Sequence, residues 1–232
     1  NGIFSATLDI AGKCSVKSIL TDEKGTVIAE SNEKESVNWT IENSKPWSAE
    51  IPNLYTFTVI LTDEDGNEIE VSRTKVGFRR FELKNGIMCL NGKRIIFKGI
   101  NRHEFDAKTG RAITKEDMLF DIQFMKKNNI NAVRTCHYPN NSLWYQLCDA
   151  YGIYLIDETN LETHGTWQKL GATDPSWNVP GSLPEWKEAV LDRAKSMYER
   201  DKNHASVLIW SCGNESYCGE DIAAMSEYFR SV

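Results

Sequence analysis

The sequence predicts a multidomain β plus α/β protein, with a β-sandwich over residues 1–77 followed by four βα units over 78–232. Three observations carry this reading. Up to residue 77, short alternations of apolar and polar residues are separated by Gly/Asp turns. After Phe78 the period lengthens, and apolar runs alternate with amphipathic stretches. Histidines and carboxylates then collect just beyond the apolar runs. A chain of 232 residues suffices for one large domain or two modest ones.

In the first region the alternating runs include Ala6–Ile10 and Tyr55–Leu61, with turns at Asp22–Gly25 and Asp63–Asn67. It holds no histidine, and its expected role is structural. In the second region, strand 1 is expected at Arg94–Gly99, followed by a helix from Thr114 to Asn128. Thr114-Lys115-Glu116-Asp117 resembles a capping box, and Met118, Ile122 and Met125 keep helical spacing. Strand 2 at Ile130–Arg134 precedes a helix from Ser142 to Tyr151, closed by Gly152. Strand 3 at Ile153–Ile156 leads through a long loop to a helix opening at Ser182-Leu183-Pro184-Glu185. Strand 4 at Ser206–Trp210 precedes a helix from about Gly219 to the end. Such a (βα)4 series fits an open doubly wound sheet or part of a (β/α)8 barrel. No GxGxxG follows the first strand, so dinucleotide binding lacks its usual warrant.

The charge balance, 27 Lys+Arg against 33 Asp+Glu for a net −6, disfavours nonspecific nucleic-acid or anionic-membrane binding. No apolar stretch approaches a membrane span, and residues 1–5 show no signal-peptide pattern. A start at Asn without Met suggests a beginning inside a longer protein. The six cysteines are scattered, without a CxxC pair, and are expected to be free thiols in a reducing cytoplasm.

His103, His137 and His164 each follow a predicted strand, and strand 4 ends in Asn214-Glu215. Active sites of α/β folds lie at that edge. Cleaving a glycosidic bond needs a carboxyl to protonate the leaving oxygen, and in retaining enzymes a second one as nucleophile. Glu215, behind an apolar strand, is expected to be partly buried, which would raise its pKa as a general acid requires. Asn214 suits a sugar hydroxyl. Glu162 and His164 are two apart, so on an extended segment they point the same way. With another Glu they suit Mg²⁺ or Mn²⁺, although pairing with each other or with an arginine is equally compatible with the spacing.

The runs Asn91–Lys93, Lys98–Glu104, Asn131–Asn140, Asp157–Gly165 and Trp210–Ser216, in order over most of 77–219, resemble glycoside hydrolase family 2, in particular its bacterial β-galactosidase branch. Trp47–Glu50, Leu54-Tyr55 and Val76–Arg79 are similar to the family's immunoglobulin-like domain and its junction with the barrel. The resemblance implies an immunoglobulin-like β-sandwich followed by the first four βα units of a TIM (β/α)8 barrel. It implies Glu215 as acid/base, Asn214, His103 and His137 as sugar-binding residues, and Mg²⁺ (or Mn²⁺) held by Glu162, His164 and Glu215. Family glucuronidases share the Asn-Glu pair. The Glu162–Gly165 segment and the Leu143–Asp149 helix resemble the galactosidase branch more closely.

The family's nucleophilic glutamate lies on a later strand, which implies that this chain alone is inactive and binds the metal weakly. A noncatalytic sugar-binding or chain-docking module is the alternative. Trp167 is compatible with either sugar stacking or loop packing. Strands 1 and 4 are expected to carry open edges, which predicts self-association or pairing with the remaining barrel half.

Overall fold

The computed structural model describes residues 1–164 and 179–232. Two compact units emerge, one of Asn1–Ile96 with Asp149–Gly152 and the other of Phe97–Cys148 with Ile153–Val232.

In the first unit, β1 (Gly2–Thr7), β2 (Ser15–Thr21), β3 (Val27–Ser31), β4 (Ser36–Ile41), β5 (Tyr55–Thr62) and β6 (Glu68–Val76) form two antiparallel sheets. One pairs β1 with β4, and the other runs β3-β2-β5-β6. Their inward side chains make one core, with Phe4, Val37 and Ile41 from one sheet and Leu20, Tyr55 and Phe57 from the other. Phe4 packs on Trp39 and Phe57 at ring distances of 5.5 and 4.8 Å. This is the sandwich the alternation predicts. The first strand lies earlier than the Ala6–Ile10 run, because Phe4 is the residue that fills the core and pairing reaches back to Gly2. Both predicted turns join strands. Asp22 Oδ1 accepts from the Lys24 and Thr26 amides, and Asp63 Oδ1 from those of Asp65 and Asn67.

β7 (Phe81–Lys84), β8 (Ile87–Leu90) and β9 (Lys93–Arg94) make a small antiparallel meander. Two-residue Asn-Gly turns connect them. Asn85 and Gly86 have φ of 50° and 76°, and Asn91 and Gly92 have 52° and 78°, the left-handed conformations that tight hairpins require. This corrects the expected strand 1. The Asn91-Gly92 turn folds Lys93–Arg94 back onto Cys89–Leu90, and the Ile95 amide donates to Met88. Arg94–Ile96 are thereby withdrawn from the parallel sheet.

The second unit's sheet is β10 (Gly99–Arg102), β11 (Ala132–Thr135), β12 (Tyr154–Glu158) and β13 (Val207–Ser211), parallel and in sequence order. α1 (Lys115–Lys127), α2 (Ser142–Tyr151), α3 (Pro184–Asp201) and α4 (Glu220–Ser231) follow the strands in turn. Thr114 caps α1 as predicted. Its hydroxyl accepts from the Asp117 amide at 3.2 Å, and the Asp117 carboxylate accepts from the Thr114 amide at 2.8 Å. Met118, Ile122 and Met125 are fully buried with Trp144, Tyr145, Ile153 and Leu155, each stabilising the fold by about 1.5–3 kcal/mol. α3 opens with Pro184 in its first turn, but Ser182 does not cap it. The Ser182 hydroxyl instead accepts from the Glu220 amide at 3.1 Å, at the start of α4. Among the described residues, β10 and β13 each pair with one neighbour only, and Ile96 and Ile100 are exposed. No described helix is long and apolar enough to cross a membrane.

Candidate active site

The parallel sheet delivers its polar residues to one edge. His103 directly follows β10, His137 lies two residues beyond β11, Glu158 ends β12, and Asn214-Glu215 lie just past β13. Glu158 is the centre of the arrangement, and the sequence assigns it no role. Its side chain is 0% exposed. The guanidinium of Arg134 grips both carboxylate oxygens, Nε to Oε2 at 2.5 Å and Nη2 to Oε1 at 2.9 Å. The Ser211 hydroxyl donates to Oε2 at 2.6 Å, and His137 Nδ1 lies 2.7 Å from Oε1. A carboxylate this deep is tolerable only when every lone-pair direction is answered. Register explains why these groups meet. Asn101 lies beside Arg134 and Glu158 beside Ser211. A carboxylate closing a buried apolar strand demands a partner, and that was the available sequence signal.

Arg134 also reaches Asn101 Oδ1 at 3.3 Å and Asn214 Oδ1 at 2.9 Å. Asn214 is thus held from one side by Arg134, while its Nδ2 donates to Glu162 Oε1 at 3.1 Å and its backbone amide to the Leu161 carbonyl at 2.9 Å. Gly213, at φ +119°, makes this approach possible, since a Cβ there would stand 2.5 Å from the Leu161 oxygen. Glu215 itself has φ +25°, a conformation that side-chain-bearing residues rarely adopt and that concentrates at functional sites.

The structure brings Glu162, His164 and Glu215 together, with one ligand atom from each lying within 4.8 Å of the others. His164 Nδ1 lies 2.9 Å from Glu215 Oε2. Glu162 and His164 therefore turn toward the Asn214-Glu215 segment rather than pairing with each other. The oxygen-rich, solvent-facing donor set fits a hard divalent cation that keeps several waters. The Glu215 side chain is 51% exposed, so it is half-buried.

His103 and His137 line an open cleft of about 510 Å³ with Glu104, Arg111, Tyr138 and Glu162. The two imidazoles meet edge to face at 5.3 Å. Arg111 lies flat over Tyr138 at 4.0 Å, and the Tyr138 hydroxyl accepts from the Glu104 amide. Burial pushes the Cys136 thiol up, so it stays protonated. Trp167 falls outside the described residues. Behind the site, Asp157 accepts from Tyr145 at 2.6 Å and Thr135 at 3.2 Å. Its other oxygen has no donor among the described residues and neighbours the Asp201 carboxylate, which Arg200 grips at 2.8 and 2.7 Å. Burial first, and then the Asp201 charge, hold the Asp157 carboxyl well above the usual range. All six cysteines are free.

Comparison with known proteins places this geometry in a lineage. Residues 3–79 match the model for glycosyl hydrolases family 2, and residues 81–232 match that family's TIM barrel domain. A β-galactosidase from Clostridium acetobutylicum is 62% identical over 99% of this chain and 26% of its own length. One from Streptococcus thermophilus is 61% identical over 94% of this chain and 22% of its own. The β-galactosidase large subunit of Lactobacillus helveticus is 52% identical over the whole chain and 38% of its own length. Among solved structures, a β-glucuronidase from Faecalibacterium prausnitzii superposes with a TM-score of 0.83 at 28% identity, covering 99% of this chain and 37% of that one. The chain thus spans about a quarter of the first two relatives. With its barrel segment and its sandwich both matched, the chain belongs to glycosyl hydrolases family 2.

Proposed function

We propose that the whole protein is a retaining β-galactosidase that hydrolyses terminal β-D-galactosides such as lactose, with Glu215 as general acid/base. The observation that carries this reading is the Asn214-Glu215 pair, positioned by Arg134 and Gly213 beside a cleft lined by His103 and His137, in a chain 62% identical to a β-galactosidase. In the first step Glu215 gives its proton to the glycosidic oxygen as the C1–O bond breaks, and a second carboxylate takes C1. In the second step Glu215 removes a proton from water as the water oxygen bonds to C1 and the C1–carboxylate bond breaks, which releases the sugar. Asn214, His103 and His137 are assigned to the sugar hydroxyls. That second carboxylate is assigned to the later barrel strands, with residues 78–232 supplying the first four βα units and residues 1–77 the immunoglobulin-like domain. On this reading these 232 residues by themselves show no turnover, and β10 and β13 pair with the remaining barrel strands or with another copy.

Mg²⁺ or Mn²⁺ is assigned to Glu162, His164 and Glu215, where the cation would favour the carboxylate form of Glu215. Calorimetry checks this. The wild type should bind Mg²⁺ weakly and the Glu162→Ala/His164→Ala variant not at all, and equal binding would remove the assignment. A cytoplasmic setting accords with the free, buried thiols of Cys89, Cys136 and Cys148.

The solved glucuronidases suggest a second reading. A uronate needs cationic partners, and the described cleft sets Glu104 and Glu162 against Arg111, which favours a neutral sugar. Turnover of chromogenic β-galactoside against β-glucuronide by the whole protein separates the two. Glu215→Gln in the whole protein should lose about 10²–10⁴ in rate. With an activated leaving group, azide should restore turnover, since azide needs no base. A variant as active as wild type would overturn the assignment.

A further inference from the structure

We propose that His103, Cys136 and His137 form a binding site for a thiophilic divalent cation of the Zn²⁺ class. One ring nitrogen of each histidine and the Cys136 sulfur lie within 4.8 Å of one another. Tetrahedral Zn²⁺, with bonds of about 2.0–2.3 Å, sets its ligands roughly 3.3–3.7 Å apart. Closure therefore asks for a shift on the order of 1 Å, shared among three side chains. His103 is exposed and supplies most of that freedom. Cys136 and His137 are the less mobile half, since Cys136 is 2% exposed and His137 is tied to a buried carboxylate.

A second, independent observation points the same way. Glu158 holds His137 Nδ1 at 2.7 Å and is itself fixed by Arg134 and Ser211. A carboxylate on one ring nitrogen orients the imidazole and raises the basicity of the other, which is the outer-shell arrangement of histidine–metal sites. Both histidines line the open cleft, so a cation has an entry path and water can fill its fourth position. Binding displaces the thiol proton to solvent and transfers no electron.

The donor chemistry separates this site from the neighbouring one. Two imidazoles and a thiolate select Zn²⁺ or Co²⁺ over Mg²⁺, whereas Glu162, His164 and Glu215 favour the hard ion. The site stands on side-chain geometry, and because His103 and His137 are also the residues assigned to the sugar hydroxyls, a cation bound here and a sugar in the cleft would exclude one another.

Co²⁺ titration of the full 232-residue chain tests it. The expected result is a saturable tetrahedral Co²⁺ spectrum with a thiolate-to-cobalt charge-transfer band, displaced by Zn²⁺ and untouched by excess Mg²⁺. Cys136→Ser should abolish the charge-transfer band. His103→Ala, at an exposed position that leaves folding intact, should weaken binding and change the ligand-field bands. The Glu162→Ala/His164→Ala and Cys14→Ser/Cys218→Ser variants should keep the band. Its absence from the folded wild type, its persistence in Cys136→Ser, or an unchanged spectrum in His103→Ala would each overturn the proposal. If Cys136→Ser fails to fold, as judged by circular dichroism, the His103→Ala spectrum decides alone.

Discussion

The two walls of the site differ in kind. On the Glu158 wall a fully buried carboxylate has every direction answered, by Arg134, Ser211 and His137. On the Glu215 wall the side chains of Glu215 and His164 are 51% and 57% exposed and lie 2.9 Å apart. The first is a framework, costly to disturb because a buried charge without its partner cannot be rehydrated. The second is available for chemistry because little structure depends on it. Asn214 and Gly213 join the two, so the exposed wall takes its position from the buried one.

The largest expected effect tests the framework. Arg134→Met leaves Glu158 buried without its cationic clamp, held only by Ser211 and His137, and should cost about 3–5 kcal/mol in denaturant unfolding of the chain. A loss below 1 kcal/mol would mean that the two walls are energetically alike. Gly213→Ala comes next. Its Cβ would collide with the Leu161 carbonyl at a φ of +119°, and the strain should cost about 1–3 kcal/mol. If the whole protein is the glycosidase proposed above, the same change should also lower its kcat by displacing Asn214.

Asp157 gives a smaller, pH-dependent effect. Its folded pKa lies above the ordinary value of 3.8, so above that pH the folded state holds more protons than the unfolded one. Stability from this residue is therefore full at acid pH and is lost as pH rises through the folded pKa. Asp157→Asn mimics the protonated form, and its thermal midpoint should gain on wild type as the pH is raised from acid to neutral. A parallel pH dependence in both proteins would show that Asp157 is not protonated in the fold. The smallest effect belongs to the exposed wall, where His164→Gln should change unfolding free energy by no more than about 0.5 kcal/mol.

What the sequence made legible was what is encoded locally. Thr114 and Asp117 lie three apart and mark the start of α1 by themselves, and α2 ends where Gly152 turns left-handed at φ 75°. Strand 1 was misplaced because an apolar run, Ile95–Phe97, does not reveal its pairing partner, while Gly99–Arg102 is too polar to announce a strand. The decisive signal, two Asn-Gly pairs a few residues apart, was present and carried more weight than hydrophobicity. Ser182 and Pro184 look like one helix start, yet Ser182 serves a helix whose first residue is 38 positions away. The site divided likewise. Residues beyond the strand ends were identifiable by type and place, whereas Glu158 gains its importance from Arg134, 24 positions distant, and Arg134 from Asn214, 80 distant.

Arg134 carries a consequence for folding fidelity. Its guanidinium touches groups carried by β10, by β12 and by the segment after β13, while it sits itself on β11. Side chains of neighbouring residues alternate between the two faces of a sheet, so a one-residue slip of any of these strands would turn its polar group away from the guanidinium. A misaligned sheet would still bury apolar area, but it would strand a charge. The same residue that steadies Asn214 therefore works as a proofreader of strand register, and a chain that has satisfied Arg134 has already assembled its four strands correctly.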